Sequence, residues 1–193
     1  MEELLLMLQG IQPLSAGLDA HLREKIGPRR FPKGSYLLSV GEIAGDILFL
    51  SRGLVGSCSP VGRRQVWNWF MKEGDICISV RSFLRQRPSV DAIVALEDCE
   101  CWGVTHAELE EVYRLYPEFN LHGRIITGEY YCRSEERHEF KHNRTPEYRY
   151  EYIMTTEPEL VARVPRKYLA SFLDVSVRTL GGIKKLYSKN KRH

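Results

Sequence analysis

The hydrophobic period of this chain changes twice, and those changes limit its folds more than any other feature. Residues 1–30 read as helical: Leu4, Leu5, Leu8 and Ile11 recur at three- and four-residue steps until Pro13 stops the pattern. Ser15 caps a second short helix carrying Leu18, Leu22 and Ile26, which ends near Gly27-Pro28. From Phe31 to about Val104 the period shortens. Apolar stretches there alternate with turn chemistry at Lys33-Gly34, Gly41-Glu42, Gly45-Asp46, Arg52-Gly53, Pro60-Val61-Gly62, Glu73-Gly74-Asp75, Pro88-Ser89 and Glu97-Asp98. Strands over 35–40, 46–51, 66–71 and 91–95 fit between these signals. Short strands so closely spaced point to a β-sandwich, jelly roll or small barrel.

Helical spacing returns after Thr105. One helix is expected over 106–116, stopped by Pro117. A longer one follows, in which Leu121, Ile125, Gly128 and Cys132 fall at four-, three- and four-residue steps, a seam with a small residue that permits close approach. That seam suits either a partner helix or the helix's own domain. Residues 133–142 are densely charged and read as an exposed helix end or linker. Near the C-terminus Pro165 suits the first position of a helix whose apolar face is Tyr168, Leu169, Phe172 and Leu173. After Asp174-Val175, Ser176 caps a second period through Thr179, Leu180, Ile183, Leu186 and Tyr187. Two short helices across a tight turn have the form of a helix-turn-helix.

Charge divides the chain the same way. Residues 1–140 hold 16 Lys and Arg against 20 Asp and Glu, a net of −4; residues 141–193 hold 12 against 5, a net of +7. A basic C-terminal module can meet a polyanion, or can simply be a solvated tail. With 43% apolar and 27% charged residues, collagen-like, low-complexity and wholly disordered chains are excluded. The longest apolar runs, 4–8 and 47–50, are too short to cross a bilayer, and Met1-Glu2-Glu3 opens no secretory signal. Cys58, Cys77, Cys99, Cys101 and Cys132 are odd in number and scattered, as expected of reduced thiols in a cytoplasmic protein with no membrane partner.

In order and spacing, Phe31-Pro32-Lys33-Gly34-Ser35, Gly41-Glu42, Leu48-Phe49-Leu50-Ser51-Arg52-Gly53, Gly74-Asp75, Ser82-Phe83-Leu84, Pro88-Ser89 and Ala95-Leu96-Glu97-Asp98 are similar to the β-domain of one regulator family. With Arg163-Val164-Pro165-Arg166-Lys167-Tyr168-Leu169-Ala170-Ser171-Phe172-Leu173, the chain resembles the cyclic-AMP receptor/Fnr (Crp/Fnr) transcription regulators over nearly its whole length. The resemblance implies an α+β protein in three parts. Residues 1–116 would form an N-terminal cyclic-nucleotide-binding-like β jelly roll, 117–142 a long dimerisation helix and linker, and 143–193 a C-terminal helix-turn-helix domain lacking a full wing. It further implies a homodimer joined at Leu121, Ile125, Gly128 and Cys132, with double-stranded DNA as partner and RNA polymerase as a further one it admits. No catalytic activity is implied.

The departures from that family carry as much information. Aligned from Gly74-Asp75, the Gly-Glu pair that holds a ribose falls on Ile78-Ser79, and the Arg-Ser pair that holds a cyclic phosphate falls on Ser89-Val90. Cyclic AMP bound in the usual way is therefore not expected, and no cofactor is assigned. An unknown effector would meet Ile78, Ser79, Arg81, Ser82, Ser89 and Val90, with Arg81, Arg85 or Arg87 facing an anion. Otherwise the cavity is filled by Ile76, Ile78, Val80, Trp67 and Trp69. In the recognition segment Val177 cannot donate to guanine, and Gly181-Gly182 costs about 1–2 kcal/mol of helix propensity relative to alanines. Arg166, Lys167, Ser176, Val177, Arg178, Thr179, Lys184 and Lys185 remain as the DNA-facing candidates, better suited to phosphates than to bases. A sensor or scaffold dimer that binds no DNA is the other reading.

Two patterns tempt toward metal chemistry. His138-Glu139-Phe140-Lys141-His142 matches the zinc-protease pattern H-E-x-x-H, but its charged surroundings read as exposed helix, not cleft. Cys99 and Cys101 share one face of a strand without the spacing of a metal site and read as buried thiols. Neither is assigned a catalytic or metal role.

Overall fold

The computed structural model describes residues 1–142 and 144–190. Two N-terminal helices, α1 (Glu2–Ile11) and α2 (Ala16–Lys25), precede eight strands. These are β1 (Gly27–Phe31), β2 (Tyr36–Leu38), β3 (Asp46–Arg52), β4 (Val55–Val61), β5 (Arg64–Met71), β6 (Ile76–Cys77), β7 (Ala92–Ala95) and β8 (Cys99–Thr105). A short helix α3 (Val80–Arg85) lies between β6 and β7. The helices α4 (His106–Leu115), α5 (Phe119–His142), α6 (Pro146–Thr156), α7 (Pro158–Arg163), α8 (Arg166–Phe172) and α9 (Val177–Asn190) follow. Ser15 caps α2 as the sequence suggests, its Oγ accepting from the Leu18 amide, and Thr105 and Glu108 add a reciprocal capping box at α4.

The strands form two antiparallel sheets, ordered β1-β8-β3-β6 and β2-β7-β4-β5. Leu48, Leu50, Cys77 and Cys101 from one sheet meet Leu38, Val55, Met71 and Ile93 from the other in a shared core, which makes the domain a jelly roll. Strand β4 escapes an alternation-based reading because Val55-Gly56-Ser57-Cys58 is small and buried throughout, and its turn tightens at Gly62 (φ 59°) beyond Pro60. Helices α6 and α7 also lack a strong apolar period; Thr145 and a proline at each start define them instead.

A single irregularity in β5 joins the jelly roll to the C-terminal helices. Ser57 pairs with Trp69 and the next residue, Cys58, with Trp67, so Asn68 is an extra residue on β5. The bulge reverses the alternation. Trp69 faces the interior between the sheets, whereas Trp67 and Phe70 turn outward into a second core with Tyr168, Leu169 and Phe172. The Trp67 and Tyr168 rings stack with centroids 4.2 Å apart, and Phe70 meets Phe172 at 5.4 Å. The Trp67 amide donates to Ser171 Oγ at 3.2 Å, and that hydroxyl lies 3.3 Å from the Gln65 carbonyl oxygen to which it donates.

Gly56 lies under this junction, where an added β-carbon would stand 2.5 Å from the Trp67 ring and 2.8 Å from that of Phe70. Gly56→Ala is expected to lower unfolding free energy by about 1–3 kcal/mol through overpacking. Urea unfolding followed at the tryptophans checks this, the midpoint falling with the slope unchanged.

Candidate nucleic-acid interface and effector cavity

The jelly roll retains open space at the end of β6. It holds cavities of about 400 and 380 Å³, both lined by Ile78, Ser79 and Ile93. All six expected effector-pocket residues, Ile78, Ser79, Arg81, Ser82, Ser89 and Val90, line the second cavity. Its hydroxyls are already engaged. Ser79 Oγ and Ser89 Oγ are 3.1 Å apart, Ser89 Oγ donates to the Asp91 carbonyl, and Ser82 Oγ donates to the Arg87 carbonyl while accepting from the Ala44 amide. Arg81 is exposed at the rim, and Arg85 and Arg87 are exposed and line neither cavity. Trp69, Ile78 and Val80 line the space as expected. Trp67 and Ile76 do not fill it: the bulge at Asn68 turns Trp67 outward, and Ile76 packs with the N-terminal helices.

At the other end of the molecule, α8 and α9 cross a turn in which Asp174 takes φ 52°, the left-handed conformation a short polar side chain tolerates. Pro165 stands at the cap of α8, one residue before the position the sequence suggests. Ser176 Oγ accepts from the Thr179 amide at 3.0 Å and pairs with the Thr179 hydroxyl. Leu180 and Ile183 are buried against the module, which leaves Val177, Arg178, Thr179, Gly182, Lys185 and Lys189 exposed. Arg166 is diverted: its guanidinium donates to the Val177 carbonyl at 3.3 Å, and a β-carbon at Gly181 would overlap it. The glycine that weakens helix propensity thus makes room for Arg166. Lys184 lies over the Tyr150 ring, and burial beside Arg166 lowers its pKa. Lys167 is exposed.

Along α5, His122 is fully buried, and Phe119 and Phe140 pack inward. Ile125, Gly128, Tyr131 and Cys132 are exposed, with Leu121 half-buried beside them. Of the H-E-x-x-H pattern, His138 is exposed on this helix, and the side chain of His142 lies outside the described residues. Among the described residues no three His, Cys, Asp or Glu are grouped to hold a metal. Cys58, Cys77, Cys99 and Cys101 are buried free thiols; burial, then Cys99, pushes the Cys101 pKa up to about 12. No helix among the described residues is long and apolar enough to cross a membrane.

This arrangement defines a class by fold: a jelly roll joined by a long helix to a helix-turn-helix. Residues 28–116 match the cyclic nucleotide-binding domain family, and the chain as a whole has the architecture of the Crp/Fnr regulators. CLP, the c-di-GMP-responsive global regulator of Xanthomonas campestris, superimposes with a TM-score of 0.70 at 18% identity, covering 91% of this chain and 93% of its own. FixK2 from Bradyrhizobium japonicum gives 0.69 at 16% identity, covering 86% of each chain. A CooA mutant from Carboxydothermus hydrogenoformans gives 0.69 at 13% identity, covering 92% of this chain and 81% of its own. In sequence, no curated protein matches the chain.

Arg163, at the end of α7, clamps the C-terminal helices to the jelly roll. It donates to Glu73 through two nitrogens at 2.8 and 2.9 Å and to Glu97 at 2.6 and 3.0 Å. Hydrogen bonding from Arg163, aided by the Gly53 amide, holds Glu73 down to about 2. A carboxylate whose folded pKa lies below its ordinary value stabilises the fold above that value and ceases to do so as pH falls through the folded one. Stability is therefore expected to decline between about pH 4.5 and pH 2. Arg163→Gln is expected to lower stability at neutral pH and to flatten that decline, measured as the urea midpoint across the acid range.

Proposed function

We propose that the chain is a homodimeric, DNA-binding transcription regulator with no catalytic activity of its own. Residues 1–116 serve as sensor, 117–142 as dimerisation helix and linker, and 143–193 as the DNA-binding part. The single observation that carries this reading is the free face of α9. A helix capped by Ser176 and anchored by Leu180 and Ile183 presents Arg178, Thr179, Lys185 and Lys189 to solvent together. Arg178, Lys185 and Lys189 suit phosphate oxygens, and Thr179 can approach a base edge once its hydroxyl leaves Ser176. Val177 offers only its methyl groups, which suit thymine. Arg166 and Lys184 act from behind, one bracing the start of α9 and the other adding positive potential.

The strip of exposed Ile125, Gly128 and Cys132 with half-buried Leu121 supports dimerisation through α5, and a two-fold dimer matches half-sites about one DNA turn apart. The sensor lacks the carboxylate and guanidinium fork of a cyclic-nucleotide site. Ile78 lines both cavities where the family's glycine would stand, which supports a sensor that does not hold cyclic AMP in the usual manner.

Anisotropy on a randomised duplex pool, with bound sequences recovered and read, tests the reading. The expected result is salt-sensitive binding with a partly enriched palindrome; no binding at low salt favours the scaffold dimer instead. Arg178→Ala with Lys185→Ala is expected to weaken binding across sequences and to reduce the salt slope by about one for each lost phosphate contact. Ile125→Asp is expected to yield monomer by light scattering and to lose the palindrome while the fold persists.

A further inference from the structure

One side of α5 carries a row of positive charge that the fold neutralises only in part. Arg133, Arg137 and Lys141 follow one another at four-residue steps, and Arg149 from α6 joins them. Arg133 is paired with Asp75 at 3.0 Å. Lys141 Nζ donates to the carbonyls of Trp67 and Asn68 and lies over the Phe172 ring; burial, then Arg137, holds its pKa down to about 8. Arg149 is 7% exposed and donates to the Lys141 carbonyl, while its Nε has no partner. Arg137 makes no hydrogen bond, ion pair or ring contact among the described residues. Like charges one turn apart on a half-buried face destabilise a helix unless something answers them.

Arg137 opens onto a cleft of about 170 Å³ between β5, α5, α6 and α8. The acids at its edge are committed or outlying. Asp75 is held by Arg133 and by the Lys72 amide, Glu157 by Lys72 Nζ at 3.7 Å, and Glu136 is exposed. The remaining walls combine four rings, Phe70, Phe140, Tyr152 and Phe172, with Met71, Ile153, Leu160 and Thr156. We infer that this cleft is a binding site for a small organic oxyanion, a carboxylate or phosphoryl group on a flat apolar body, with Arg137 gripping the anion and the rings enclosing the rest. It is separate from the jelly-roll cavities and touches sensor, long helix and C-terminal helices at once. A ligand here would bias how those elements dock, to the extent that it binds one arrangement better than another. The inference goes beyond the DNA-binding reading, because the cleft can fill whether or not α9 meets DNA.

Calorimetric titration of the full chain at low salt, without DNA, tests it with phenyl phosphate, benzoate and inorganic phosphate as probes. Saturable binding of phenyl phosphate or benzoate is expected, tighter than that of inorganic phosphate and weakened at least about tenfold in Arg137→Leu. Arg137→Lys is expected to keep part of the affinity. The melting temperature of ligand-free Arg137→Leu is expected to match or exceed that of the parent, since an unanswered cation has been removed. Should Arg137→Leu fold poorly, Tyr152→Leu removes one aromatic wall and is expected to weaken phenyl phosphate while leaving inorganic phosphate unchanged. No saturable binding by either aryl probe, equal affinity for inorganic phosphate, or affinity unaffected in both variants would overturn the assignment.

Discussion

The extra residue at Asn68 is the constraint on which the rest of the molecule depends. In an unbroken antiparallel strand Trp67 and Trp69 would share a face, and both indoles would point between the sheets. The bulge sends one each way. Trp69 lines the jelly-roll cavity, and Trp67 becomes the platform on which Tyr168 stacks. The same irregularity turns the carbonyls of Trp67 and Asn68 toward Lys141, so α5 is fixed to the bulge as well. Sheet, long helix and the first helix of the helix-turn-helix therefore meet at one point of β5.

Around that point the forces differ in kind and in reach. The aromatic contacts among Trp67, Phe70, Phe140, Tyr168 and Phe172 are non-polar and insensitive to salt. The clamp of Arg163 on Glu73 and Glu97 is partly exposed, so solvent screens it and it sets orientation more than stability. In the row Arg133, Arg137, Lys141 only Arg133 has a carboxylate, Asp75; Arg137 and Lys141 work against the fold, since burying cations without carboxylates costs free energy. Stabilising contacts thus surround a destabilising one. That combination is common at functional sites, where a group is kept for what it binds and not for what it packs against.

The periodicity of the chain makes the architecture legible: helix caps at Ser15 and Ser176, glycine turns through the β-domain and the two C-terminal helical periods all correspond to elements. Strand β4 was hidden because small residues buried on both sides leave no alternation to read. Trp67 was misassigned for a related reason, since a bulge is a property of two paired strands and β5 alone does not announce it. Gly181 reads as a defect of helix propensity, yet it leaves the space that the Arg166 guanidinium occupies. The cationic row escaped as well. Residues 133–142 carry so much charge that they read as solvent-exposed, and only the placement of α6 and α8 distinguishes Arg137 and Lys141 from the acids beside them.

The junction also limits how a signal can travel on the proposed reading. Swinging α8 and α9 away from the sheet would expose Trp67, Phe70, Tyr168 and Phe172, each worth about 1.5–3 kcal/mol of buried apolar surface. An effector shifts a conformational equilibrium only by its difference in affinity between the two states, and release on that scale would require a difference of several powers of ten. Movement that keeps the aromatic platform intact avoids this cost. Sliding or tilting of the docked helices over β5, with α5 following through Lys141, alters the separation of two recognition helices in a dimer without opening the core. Small displacements suffice, since half-sites on DNA are read at a fixed spacing of one helical turn. The aromatic contact that makes the molecule one body is thus also what confines its regulation to shear.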